Sequence, residues 1–342
     1  MIDAADLKFS GIIGHESAVG LLKRAMASSR VAHAYLFAGP DGVGKRRTAH
    51  AFAAAMLCAA DGGEACGTCV SCRKLVDGNH PDYLEIGPDG RFIKIDAMRE
   101  MIGATRFMPF ESPWKIFVVL DAERMNEASA NAFLKTLEEP TKSTLLILIC
   151  SAPQQLLPTI LSRCQKINFG PLPADNLARL VAERRELDPD RAALVARLAD
   201  GSVGRALAID EEYAFERRPA LGRMVLGLAP GRDTDVLNTA REVVNWPEGP
   251  EDAFELVKSF LADAARLAAG LPEDALAHPD LADAARRFAD HFSAPLLAHK
   301  TRTLSYAQRL LARNANKLLT AEAALMDAVT PRITDFAERM PK

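Results

Sequence analysis

Short runs of consecutive apolar residues alternate with longer amphipathic stretches through the first half of the chain. Ala34-Tyr35-Leu36-Phe37-Ala38 is one run. Lys115-Ile116-Phe117-Val118-Val119-Leu120-Asp121 is a second, ending in a carboxylate, and Leu145-Leu146-Ile147-Leu148-Ile149-Cys150 is a third. Runs of this length with no polar alternation predict strands buried on both faces. Helical periodicity fills the intervals, as at Thr48 to Met56 and Ser129 to Glu138. Strands alternating with helices predict an α/β fold, a parallel sheet covered on both sides.

The pattern changes after Phe169. Gly170-Pro171-Leu172-Pro173 reads as a linker, and no strand is expected beyond it. Asp175 to Glu186, Asp190 to Ala199, Ala253 to Ala269, Ala282 to Phe292 and Thr301 to Val329 are expected to be helices. The expected organisation is an α/β domain over 1–171, a small all-α domain over 172–213 and a larger all-α domain over 214–342.

Composition narrows the class. The 342 residues are 49% hydrophobic and 25% charged, as in an ordinary globular protein. The net charge of −3 gives no whole-chain attraction to nucleic acid. No run of about 18 apolar residues predicts a membrane helix, so no membrane partner is expected. Met1-Ile2-Asp3-Ala4-Ala5-Asp6 is acidic and lacks the pattern of a secretory signal. A cytoplasmic location is expected.

Gly39-Pro40-Asp41-Gly42-Val43-Gly44-Lys45-Arg46 fits GxxxxGK between a predicted strand and a predicted helix. Backbone N–H groups in such a loop, with the helix N-terminus, cradle phosphates, and Lys45 would reach the outer ones. The simpler alternative is a Gly-rich turn without a ligand. Arg46 stands where a Ser or Thr hydroxyl normally ligates Mg²⁺, and a guanidinium has no acceptor atom. Thr48 is too far round the helix to replace it. Asp121 ends its strand as the metal-associated Asp of this fold does. It is followed by Ala122 where a water-polarising Glu is usual in ATP-hydrolysing relatives, and Glu123, one residue late, is expected to project elsewhere. Losing a general base costs about 10²–10⁴-fold in rate. Intrinsic hydrolysis is not expected, and nucleotide binding stays open.

Cys58, Cys66, Cys69 and Cys72 have the form C-x7-C-x2-C-x2-C. Four thiolates so close suit a closed tetrahedral structural Zn²⁺, or another thiophilic metal. An iron–sulfur cluster of bacterial ferredoxin type would need a further Cys and a Pro where Val76 and Asp77 stand. Cys150 is expected to be core packing.

GPDGVGK at 39–45, the four-cysteine insert, NAFLKTLEEP at 131–140 and LPTILSRC at 157–164 occur in that order. This combination resembles the clamp-loader branch of AAA+ proteins, and within it the δ′ subunits of bacterial DNA polymerase III. The resemblance implies an AAA+ domain, a helical lid and a helical collar that oligomerises. It implies that Arg163 is an arginine finger entering the ATP site of an adjacent γ/τ subunit. It also implies γ/τ and δ as partners in a hetero-pentameric ring that loads the β sliding clamp onto primed DNA. ATP and Mg²⁺ would sit at the neighbour. An ATPase subunit of γ/τ type is the alternative, and it would have to tolerate Arg46 and Ala122. A stand-alone zinc-dependent DNA-binding module is disfavoured by the acidic net charge. In the lid, Gly201-Ser202-Val203-Gly204 puts Gly where the family's nucleotide-binding members carry a sensor Arg. Asn314-Ala315-Asn316-Lys317 resembles the entry to the family's last helix.

Overall fold

The computed structural model describes residues 7–60, 62–311 and 315–333. The acidic segment at 1–6 and Asn314 of the last-helix motif lie outside the described residues. The chain divides into two compact units, one of 1–186 with 199–207, the other of 187–198 with 208–342.

The first unit runs α1 (Glu16–Ala27), β1 (Ala34–Ala38), α2 (Lys45–Leu57), α3 (Val70–Val76), β2 (Tyr83–Ile86), α4 (Ile95–Ala104), β3 (Lys115–Val119), α5 (Glu127–Glu138), β4 (Thr144–Cys150), α6 (Pro158–Leu161), β5 (Gln165–Asn168) and α7 (Ala174–Arg185). The strands form one sheet in the order β2-β3-β4-β1-β5, and every pairing is parallel. Phe37 lies opposite Ile149 on one side and Ile167 on the other.

Side-chain alternation sends each central strand into two cores. Tyr35, Phe37, Ile116, Val118, Leu145 and Ile147 pack with Leu22 of α1, Phe52 of α2 and Leu75 of α3. Leu36, Phe117, Val119, Leu146 and Leu148 pack with Met98 of α4, Phe133 of α5 and Ile160 of α6. Both faces are dry, so the three central strands carry the continuous apolar runs of the sequence. The edge strands do not: β5 buries only Ile167, and β2 is half-buried throughout. Their mixed patterns, Gln-Lys-Ile-Asn and Tyr-Leu-Glu-Ile, gave no strand signal in the sequence.

The second unit contains α8 (Pro189–Leu198), which follows α7 in sequence. α9 (Val203–Ala208) opens in the first unit, and the second resumes with α10 (Arg218–Leu226), α11 (Asp233–Val244), α12 (Pro250–Ala268), α13 (Ala282–Ala289), α14 (Ala294–Leu311) and α15 (Lys317–Ala328). Beyond Phe169 no strand occurs among the described residues. On α12, Phe254, Val257, Leu261 and Ala264 recur at helical spacing and sit in the core of this unit with Phe288, Leu304 and Leu325. The single helix expected over Thr301 to Val329 is two. Asn316 ends the continuity: its side chain accepts from Leu319 N at 3.0 Å and caps α15. The helix expected to reach Phe292 stops at Ala289. Among the described residues, no helix is long and apolar enough to cross a membrane.

Candidate nucleotide site and metal centre

An all-parallel sheet places every strand's carboxyl end on one edge, where α/β proteins bind ligands. The loop after β1, Asp121 after β3 and Ser151 after β4 all lie there. Gly39 N donates to Cys150 O at 3.1 Å, tying the loop to β4. Gly42 (φ +73°) and Gly44 (φ +110°) occupy the left-handed region that L side chains avoid. Gly44 is the N-cap of α2, so the loop runs directly into a helix N-terminus, the setting in which P-loop folds hold phosphates.

Lys45 is 5% exposed; its Nζ donates to Gly39 O at 2.5 Å and Pro40 O at 2.6 Å and stands 3.7 Å from Asp41 Oδ1. Burial lowers its pKa against the opposing pull of Asp41 and Glu123. Arg46 turns away to the edge strand and donates through Nη2 and Nε to Glu85. Glu85 also accepts from Tyr83 Oη at 3.2 Å and pairs with His50 Nε2 at 2.9 Å. Burial would raise the Glu85 pKa, but the His50 and Arg46 bonds outweigh it and hold the carboxyl at about 2. Thr48 is buried and its hydroxyl donates to Gly44 O at 3.0 Å. The hydroxyl of Thr48 is thus turned back on the helix backbone, and the side chain at position 46 itself offers no oxygen to a metal.

Asp121 adopts a left-handed conformation (φ 47°) and its pKa is raised by burial and by the charge of Glu123. Ala122 is fully buried. Glu123 does not project away from the site as its sequence position suggested. A single turn of 3₁₀ helix brings it back to the sheet edge, where Oε1 accepts from Ser151 N at 3.0 Å and from Ser151 Oγ. There its charge acts on both Lys45 and Asp121. Burial alone would raise its pKa; the Ser151 bonds outweigh burial and the net shift is downward.

The Gly-Ser-Val-Gly segment closes on the loop. Gly204 N donates to Gly42 O at 2.9 Å, and a Cβ on Gly204 would meet Gly42 Cα at 3.2 Å. The sensor position is thus filled by backbone against backbone. Arg205 is exposed, its N–H bonded to Ser202 Oγ at 3.2 Å.

Arg163 lies just beyond α6, at a distance along the chain from all these groups. Its Nη1 donates to Thr159 O at 3.0 Å and Ser162 Oγ at 3.2 Å, and its Nη2 lies 2.7 Å from Glu138 Oε1. The Arg163 side chain is 34% exposed. Cys164 is half-buried, and burial pushes its thiol up to about 12.

The four sulfurs of Cys58, Cys66, Cys69 and Cys72 lie within 4.8 Å of one another, with Cys58 and Cys69 at 3.9 Å. Thiolates about 2.3 Å from a tetrahedral zinc are about 3.8 Å apart, so the set fits a closed four-sulfur centre. Backbone N–H groups point at the sulfurs: Ala60 and Cys66 at Cys58, Thr68 and Cys69 at Cys66, Cys72 at Cys69. The Thr68 and Cys69 bonds draw Cys66 down to about 5. Such bonds favour the anionic sulfur that a metal requires. A metal here would cross-link the end of α2 to α3, with no ligand position left for chemistry.

Of the residues that the sequence suggests for a nucleotide site, Gly39, Gly42, Gly44, Lys45 and Asp121 lie at one edge of the sheet, whereas Arg46 turns away to Glu85. Sequence reasoning missed Glu85, His50 and Ser151. A Glu in a half-apolar tetrapeptide was the one available hint for Glu85; nothing marked Ser151.

The strand order, the Gly-rich loop after β1 and the carboxylate after β3 define a P-loop fold of the AAA+ type. Two family profiles match the chain: DNA polymerase III, delta subunit, over residues 14–173, and DNA polymerase III, delta subunit, C terminal, over residues 232–329. The δ′ subunit of DNA polymerase III from Bacillus subtilis (strain 168) is 37% identical over 202 residues, 58% of this chain and 60% of that protein. That of Pseudomonas aeruginosa is 45% identical over 138 residues, 39% of this chain and 42% of that protein. The τ subunit of Bacillus subtilis is 26% identical over 279 residues, 75% of this chain and 49% of that protein. The chain thus aligns with less than two thirds of the length of each. The alignment with a solved γ-subunit-related protein from Thermotoga maritima covers 91% of this chain and 98% of that one, at 20% identity with a TM-score of 0.39. The chain belongs to the DNA polymerase III delta-subunit family.

Proposed function

We propose that the chain acts as a δ′-type subunit of a DNA polymerase III clamp loader, without ATP hydrolysis of its own. It would assemble with γ/τ and δ subunits in a pentameric ring in the cytoplasm and help place the β sliding clamp on primed DNA. Residues 1–171 would serve as the AAA+ domain, 172–213 as the lid and 214–342 as the oligomerising collar. Cys58, Cys66, Cys69 and Cys72 would hold a structural zinc.

The observation that carries this reading is the fate of Arg46. At the position of the Mg²⁺ ligand stands a cation already committed to Glu85. Ala122 removes the usual water-polarising carboxylate as well. Arg163, on a short surface turn, would then supply its guanidinium in trans to a neighbouring γ/τ ATP site. A permanently charged planar fork suits charge on a transferring phosphoryl group.

One observation favours a second reading, an active ATPase of γ/τ type: Glu123 reaches the edge where Lys45 and Asp121 lie. Steady-state hydrolysis separates the two. The chain alone and the chain mixed with γ/τ, δ, clamp and primed DNA are assayed as wild type and as Arg163→Ala. Silence alone, activity in the mixture and loss with the variant support the trans role. Turnover by the chain alone, abolished by Lys45→Ala and indifferent to Arg163→Ala, overturns it.

A further inference from the structure

The second unit buries a polar chain that the proposed function does not use. Arg218 is fully buried in α10; its Nη2 donates to Ala214 O at 3.1 Å and pairs with Asp280 Oδ2 at 2.6 Å. Its Nη1 stands 3.0 Å from Nδ1 of His278, which is 4% exposed. His278 Nε2 stands 2.8 Å from Ser259 Oγ on α12.

A guanidinium can only donate. His278 Nδ1 must therefore accept, and the imidazole is neutral with its proton on Nε2. Ser259 Oγ then receives that proton's hydrogen bond, and its own O–H remains to be given. Thr301 and Ser305 on α14 spend theirs on the helix backbone, at Leu297 O (3.1 Å) and Thr301 O (3.0 Å). Ser259 has no such acceptor among the described residues.

Ser259 lines a cleft of about 320 Å³ with Glu255, Lys258 and Ala262 of α12 and Thr301, Arg302 and Ser305 of α14. Lys258 donates to Glu255 Oε2 at 2.6 Å and Gln308 Oε1 at 3.1 Å. Glu255 is 65% exposed, at the rim. Arg302 is exposed and has no carboxylate partner among the described residues. The cleft therefore presents a hydroxyl proton of fixed sense, an ammonium with a spare donor and an uncompensated guanidinium.

We propose that this cleft is an oxyanion site that takes a phosphate group through Ser259 Oγ–H, Lys258 and Arg302. A tetrahedral oxyanion offers acceptors in several directions at once, which matches donors arriving from two helices. Buried ion pairs rarely stabilise more than an apolar core of equal volume; here the network fixes the sense of the hydroxyl that faces the ligand. The inference is independent of the role given to Arg163.

The test is calorimetric titration of the full chain with pyrophosphate, in a Lys45→Ala background that silences the phosphate loop. It is paired with spectra of the ¹⁵N-histidine-labelled protein. Expected are saturable binding that survives Lys45→Ala, a shift of the His278 Nε2–H resonance, and about tenfold weaker binding in each of Ser259→Ala and Arg302→Gln, the worth of one charge-assisted hydrogen bond. A single-stranded dT oligonucleotide that displaces pyrophosphate and moves the same resonance assigns the site to backbone phosphates. An oligonucleotide without effect, beside intact pyrophosphate binding, assigns it to free phosphate. No binding, binding lost with Lys45→Ala, or binding indifferent to both cleft variants when melting shows them folded overturns the proposal.

Discussion

The backbone N–H of Gly204 donates to the carbonyl of Gly42 at 2.9 Å, a main-chain hydrogen bond that ties the segment after α8 to the phosphate loop. A Cβ on Gly42 would meet Ser202 Oγ at 2.2 Å and sit at φ +73°, whereas one on Gly204 meets Gly42 Cα at 3.2 Å at ordinary φ. Gly42→Ala is expected to cost roughly 2 kcal/mol or more, from strain and clash together. Gly204→Ala should cost less. Urea midpoints of the two variants check the order; equal values would mean the contact is loose.

Glu85 joins Arg46, His50 and Tyr83, with its carboxyl held at about 2. Its side chain is 18% exposed, so screening is partial. A depressed carboxyl pKa contributes stability above the unfolded value and loses it as pH falls through the folded one. Wild type should exceed Glu85→Gln by on the order of 2 kcal/mol at pH 7. The gap should shrink between pH of about 4.5 and 2, as followed by chemical denaturation across pH. A gap unchanged through that window would remove the linkage.

Asp82 is fully buried, and its carboxylate accepts from Phe110 N, Glu111 N and Ser112 N at 2.5, 2.9 and 2.9 Å. The loop so held keeps Phe107, Met108 and Phe110 in solvent. Asp82→Ala leaves these donors without their acceptor, and a loss of about 3 kcal/mol is expected. Thermal melting measures it, and faster proteolysis within 106–112 should accompany the change.

The four-sulfur centre should hold about one zinc per chain, released by mercurial modification of the thiols and read with a colorimetric chelator. Cys66→Ser and Cys72→Ser should each abolish tight retention and lower the melting temperature. A protein that melts identically with and without metal would show that the link between α2 and α3 carries no stability.

For the proposed finger, charge without the planar fork should not suffice. Arg163→Lys is expected to lose most of the assembly-dependent hydrolysis, within about tenfold of Arg163→Ala, against a full effect of about 10³-fold. Glu138 pairs with Arg163 at 2.7 Å across a partly exposed surface. Breaking such a pair costs about 1 kcal/mol at most, so melting should scarcely move in either variant. A large drop in melting temperature would point to a structural arginine instead.

The sequence by itself determined the three central strands, the loop on the first of them and the sulfur cluster. Continuous apolar runs have one low-energy destination, the middle of a covered sheet. A Gly-rich turn between strand and helix and four cysteines within fifteen residues are local features. The edge strands β2 and β5 were invisible because a half-solvated strand needs no apolar run. The break at Asn316 did not show in the helical periodicity, which continues on both sides of it; only the Asn-Ala-Asn-Lys motif pointed to a helix entry there. Only tertiary structure decided what Arg46 and Glu123 do. Arg46 reaches Glu85, 39 residues later, because β2 lies beside the start of α2. Glu123 returns to the site because Ser151, 28 residues away, follows directly on the neighbouring strand. Each pairing depends on strand order, which no single segment encodes.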